Sequence, residues 1–190
     1  YEPSSPSAVS LALARAPSQS ADLMSTWITA SVLLFLASRG DVVVADDGFE
    51  MAEMNELLIA STVRNDADMV GQLLEAGLNP DTVSEKGVTI LMMASMMGHV
   101  EVARSLLHAG ARIDAADDLG NQALMLATVK GKTNVFGELL SAGANVNARN
   151  KQGMTALMLA TVEGQAEAAR IIIDVSGAKL DFADASGNQA

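Results

Sequence analysis

A 33-residue period runs along this chain, and it constrains the fold more than any other feature of the sequence. Gly77, Gly110 and Gly143 lie one period apart, as do Gly87, Gly120 and Gly153, and again Gly98, Gly131 and Gly164. The pair Leu73-Leu74 returns as Leu106-Leu107, as Leu139-Leu140 and then as Ile172-Ile173. "QALMLATVKG" at 122–131 and "TALMLATVEG" at 155–164 differ at two places. Stacked helix–turn–helix units are the usual source of so many columns in register at this period.

Each column has a physical reading. Leu91, Ala94 and Ser95 fall at i, i+3 and i+4, one face of a two-turn helix. Small residues at Ser61, Ala94, Ala127 and Ala160 let a second helix come close. Val102, Ala103, Leu106 and Leu107 form the apolar stripe of that second helix, repeated as Val135, Phe136, Leu139 and Leu140. Gly98, Gly131 and Gly164 stand where the first helix must end with positive φ, and Asn65 takes their place in the first unit. Gly110 and Gly143 end the second helix in the same way, and a polar, extended hairpin-like stretch follows. Helices this short are unstable alone in water, so they must bury their apolar sides against neighbouring units.

The copies "EKGVTILMMASMMGHVEVARSLLHAGARIDA", "DDLGNQALMLATVKGKTNVFGELLSAGANVNA" and "NKQGMTALMLATVEGQAEAARIIIDVSGAKLDF" resemble the ankyrin repeat. Its pattern runs D-x-x-G-x-T-P-L-H-x-A-A, then G-H, a Leu-rich second helix and G-A-D-V-N-A. The resemblance implies an all-α solenoid of helix–turn–helix units with β-hairpin-like loops. Four repeats are expected over 54–183, at 54–83, 84–116, 117–149 and 150–183. The family's Pro is replaced by Ile90, Ala123 and Ala156, and its His by Met92, Met125 and Met158. That His commonly ties hairpin to helix by a hydrogen bond, whereas a thioether is expected only to pack. Thr89 and Thr155 suit helix caps better than Gln122 does. The fourth copy carries one extra residue between Ile173 and Gly177, read as a bulge at the helix end.

The last letters, "GNQA" at 187–190, repeat those that open a helix at 120–123. Residues 184–190 are therefore expected to begin a fifth repeat of a longer array. The chain from about Asp174 onward is expected to be more mobile than the two middle repeats. At the other end, residues 1–23 are rich in Ser, Ala and Pro without a sustained period and read as unstructured or upstream of the true start. "WITASVLLFLA" at 27–37 is too short to span a bilayer. It suits the apolar stretch of a signal peptide over 24–45, with Val43 and Ala45 as a small-residue cleavage site, or else an N-terminal apolar helix packed on the first repeat. Residues 46–53 read as a linker. Exported bacterial ankyrin proteins resemble this layout, which implies a periplasmic or secreted location, the alternative being cytoplasmic.

Composition narrows the chemistry. Half the residues are hydrophobic (49%) but only 3% are aromatic, so the core must be built from Leu, Ile, Val, Ala and the 11 Met. A net charge of -11 with no cluster of Lys and Arg argues against a nucleic-acid partner. Without Cys there is no disulfide, thiolate metal site or thiol nucleophile. His99 occupies the family's G-H position, and His108 lies near the end of a second helix with no partner at i+4, so neither suggests a metal site. Asp114, Asp117 and Asp118 are the densest acidic cluster, read as a solvated hairpin tip in preference to a cation or catalytic site. "GKT" at 131–133 lacks the upstream Gly of a phosphate loop. No catalytic residue, cofactor or metal is expected.

What remains is surface. In the resembling family the partner meets the hairpin tips and the exposed side of the first helices, which together line a concave face. Matching columns gives Glu85, Lys86, Val88, Asp118, Leu119, Asn121, Lys151, Gln152 and Met154 at the tips. The helix columns give Val63, Arg64, Met96, Met97, Val129, Lys130, Val162 and Glu163. Val63, Met96, Val129 and Val162 form an apolar column, read either as an exposed partner-binding stripe or as half-buried packing between helices. The expectation is a non-catalytic module that binds another protein. The runner-up readings are the targeting arm of a larger enzyme or effector and a purely structural spacer.

Overall fold

A computed structural model describes residues 51–84, 87–175 and 187. The candidate leader, the upstream segment, the expected fifth repeat and nearly all of the segment expected to be mobile lie outside these residues. So do the tip residues Glu85 and Lys86.

Among the described residues four helix pairs follow one another: α1 (Met51–Val63) with α2 (Ala67–Glu75), and α3 (Ile90–Met97) with α4 (Val100–His108). Then α5 (Ala123–Val129) pairs with a 3-10 turn (Thr133–Val135) leading into α6 (Phe136–Ser141), and α7 (Ala156–Val162) with α8 (Ala166–Asp174). First helices touch first helices down the array, α1 on α3, α3 on α5 and α5 on α7. In the second layer α2 packs on α4, α4 packs on α6, and α8 packs on the 3-10 turn. α1 takes in residues 51–53, the last three of the stretch read as a linker; Met, Ala and Glu are all good helix formers.

The small-residue column lies at the heart of this stacking. Ser61, Ala94, Ala127 and Ala160 are all buried, as is the leucine column Leu58, Leu91, Leu124 and Leu157. Val102, Val135, Leu106, Leu139 and Ile172 close the core from the second layer. Each such buried side chain contributes about 1.5–3 kcal/mol.

Beside the small residues runs a hydroxyl column that the sequence reading left unremarked. Ser95, Thr128 and Thr161 donate to the carbonyls of Leu91, Leu124 and Leu157, at 2.7, 2.8 and 3.0 Å. Returning the bond to its own helix lets the buried Ser95 and Thr128 hydroxyls sit in an apolar interface without losing a partner; Thr161 is exposed. Thr62, the corresponding residue of the first repeat, is buried with its Oγ1 unpartnered.

The termini follow the expected chemistry. Asn65 has φ 60°, and Gly98, Gly131 and Gly164 have φ of 79°, 63° and 67°. Thr89 Oγ1 accepts from the Met92 N–H at 3.2 Å and Thr155 Oγ1 from the Met158 N–H at 3.3 Å, while Gln122 makes no side-chain cap. One expectation is corrected: the Met92 thioether does more than pack. Its Sδ accepts a 3.4 Å bond from the Thr89 N–H, closing a reciprocal capping box with sulfur where the family pattern carries an imidazole.

Between repeats the extended stretches are tight turns rather than paired strands. One isolated bridge, Val83 to Thr89, is formed among the described residues. The Ser84, Asp117 and Asn150 N–H groups donate to the carbonyls of Val88, Asn121 and Met154, the same bond in three successive hairpins, at 2.9, 3.0 and 3.0 Å. Lys151 N–H then bonds Leu119 O at 2.9 Å, joining one hairpin to the next. Gly120 makes that contact sterically feasible, since a Cβ there would lie 2.8 Å from the Lys151 nitrogen. On the outer layer Arg104 bridges α4 and α6 to Glu138 at 2.6 Å. The guanidinium hydrogen bond holds the Glu138 carboxyl below its ordinary range. The pair therefore contributes above the ordinary carboxylate pKa and loses that contribution as the pH falls through the depressed one.

Two substitutions test this account by thermal or urea unfolding. Gly120→Ala should cost more than the about 1–2 kcal/mol of left-handed strain expected at Gly143, where a Cβ meets nothing within 4 Å. Equal losses at the two positions would show that hairpin contact adds nothing. Gln122→Thr should supply the missing cap and raise stability by up to about 1 kcal/mol.

Candidate functional site

The columns chosen from the sequence fall at equivalent positions on successive repeats, but they are not uniform in exposure. Val63 is 45% exposed and Val162 is 71%, whereas Met96 and Val129 in the middle repeats are half-buried. Val129 packs against the core. The half-buried reading therefore describes Met96 and Val129, while Val63 and Val162 are open.

The next column is more open. Arg64, Met97, Lys130 and Glu163 are all exposed, Met97 by 39%. Among the tip residues Leu119 is 63% exposed, and Asp118, Lys151 and Gln152 are exposed as well. Val88 and Met154 are half-buried against the core.

Asn121 is engaged in holding the tips together. Its Nδ2 donates to Asp117 Oδ2 at 3.2 Å, and its Oδ1 accepts from Asn150 Nδ2 at 2.9 Å. Asp117 Oδ1 in turn accepts from the N–H groups of Leu119 and Asn121 at 2.9 and 2.8 Å. Lys151 Nζ donates to the Asp118 carbonyl at 2.7 Å. Asp117, at the centre of the acidic cluster, is thus occupied by the turn it builds, while Asp114 and Asp118 face solvent. Among the described residues no group of three His, Asp or Glu is placed to hold a metal ion.

At the opposite edge, the turns between helices carry a second set of ties. His99 Nε2 lies 3.3 Å from Val63 O, reaching back one repeat. Asn134 Nδ2 donates to Gly98 O at 2.7 Å, making the same backward reach one repeat later. Two exposed apolar residues fall outside the selected columns, Val83 at 52% and Ile173 at 51%. Ile173 stands in the Leu74, Leu107 and Leu140 column, whose other members are half-buried, so only its place in the last described repeat distinguishes it. No residue-type signal marks it in advance.

The uneven exposure predicts uneven tolerance. Val162→Glu should change stability by no more than about 0.5 kcal/mol, whereas Val129→Glu should cost on the order of 1–3 kcal/mol by forcing a carboxylate against apolar neighbours. Urea midpoints measured side by side check this; equal losses would mean that the two valines are equally covered.

No curated protein matches the chain. The family model for ankyrin repeats, three copies, matches residues 31–117, 57–150 and 110–184, together well over half of the sequence. With four helix pairs in two layers and the three glycine columns in their turns, this chain belongs to the ankyrin-repeat family.

Proposed function

We propose that the array is a non-catalytic module that binds another protein along the face formed by the first helices and hairpin tips. Ankyrin repeats are protein–protein interaction modules. The observation that carries the reading here is the set of exposed apolar side chains Val63, Met97, Leu119 and Val162, each at a first-helix or hairpin-tip position of the array. Exposed large apolar side chains grouped on one set of elements commonly mark a partner site, and exposed polar residues accompany them at Arg64, Asp118, Lys130, Lys151, Gln152 and Glu163. Exposed thioethers such as Met97 adapt to partners of varied shape.

The leader-like segment 24–45 supports placing this module outside the cytoplasm. Among the described residues no helix is long and apolar enough to cross a membrane.

The test uses positions that are open in the folded protein. Val63→Glu, Met97→Glu and Val162→Glu together should leave the helical signal and the melting temperature close to wild type. They should abolish recovery of the specific partner that the wild-type chain retains from an extract of its native host, as identified by mass spectrometry. Equal recovery by both proteins would move the interface off this face.

A further inference from the structure

The repeat geometry says what kind of segment fits this face, an inference that rests on the binding reading above. Helices packed side by side stand about 8–10 Å apart. The first helices contact one another in sequence, so equivalent columns recur at about that interval along the face. An α-helix returns to the same face every seven residues, a rise of about 10.5 Å. An extended strand advances about 3.3 Å per residue and alternates faces. Its same-face side chains therefore recur at about 6.6 and 13 Å, and the residue nearest 10 Å points the wrong way. A helix can place one apolar side chain on each of Val63, Met96, Val129 and Val162 in turn, with Met97 open beside them; a strand cannot.

Charge then restricts the helix. Although the chain as a whole is strongly acidic, its carboxylates at Asp68, Glu75, Glu101, Glu138, Glu167 and Asp174 lie on the second helices, in the other layer. On the binding face, Arg64 and Lys130 are exposed, and neither takes part in an ion pair or side-chain hydrogen bond, while at the tips Asp118 is exposed beside Lys151, whose Nζ donates to the Asp118 carbonyl. Glu163 stands alone in that column at the last described repeat.

We infer that the partner element is an amphipathic α-helix laid across the first helices, its apolar residues at heptad spacing. Carboxylates flank it over the first three repeats and a cation lies over Glu163. Four repeats span roughly 30 Å, which such a helix covers in about 20 residues.

Three synthetic peptides of about that length test the inference against the full chain by fluorescence anisotropy and circular dichroism. The first carries Leu at heptad spacing flanked by Glu, the second has the same composition with Leu at alternate positions, and the third is the first with Lys for Glu. The expected result is that the first binds and gains helicity on binding, while the other two bind at least about tenfold more weakly. Arg64→Glu with Lys130→Glu should reverse the preference between the first and third peptides. Tighter binding of the alternating peptide, or of none, overturns the helix inference while leaving the binding reading to its own test. Equal binding of the first peptide by wild type and by the Val63→Glu, Met97→Glu, Val162→Glu variant places the contact elsewhere and overturns both.

Discussion

Everything in this structure depends on the burial of one repeat's apolar side against the next. Helices of six to nine residues, as most of these are, do not hold together alone in water. The cost of ordering them is offset only where Leu58, Leu91, Leu124 and Leu157 are covered from both layers. That coverage requires close approach, which Ala94, Ala127 and Ala160 allow because they project nothing beyond a methyl group. The neighbouring hydroxyls are tolerated because each finds its acceptor within its own helix.

Apolar burial is not directional, so something else must set the register of one unit on another. Two polar edges do this. At the hairpin edge Lys151 bonds Leu119 O, and Asn150 bonds Asn121. At the turn edge His99 reaches Val63 O, and Asn134 reaches Gly98 O. These bonds run between residues 29 to 36 positions apart in sequence, close to one period: the turn edge ties the first repeat to the second and the second to the third, and the hairpin edge ties the third to the fourth. Substituting Met for the family's His weakens the tie without removing it, since the Met92 sulfur still accepts the Thr89 N–H.

The same stacking that makes the core also sorts the surface. Second helices turn their carboxylates outward, while the ends of the first helices leave Arg64 and Lys130 beside the apolar column. A strongly acidic chain therefore carries on this face Arg64, Lys130 and Lys151 beside Asp118 and Glu163, a more even balance than its average. Net charge alone does not report this, because it sums over both layers.

Period, helix ends and core columns were legible in the sequence, because each follows from a local rule. Positive φ at a helix end favours Gly or Asn, apolar residues at i, i+3 and i+4 share a face, and both signatures recur every 33 residues. The candidate site was legible only as a set of columns. Which members are open was not: Val129 and Val162 occupy identical positions in nearly identical segments, yet one packs against the core and the other stands 71% exposed. The sequence by itself determined which residues share a face; the tertiary structure alone decided how much of each is covered, because coverage belongs to the neighbouring repeats and not to the residue.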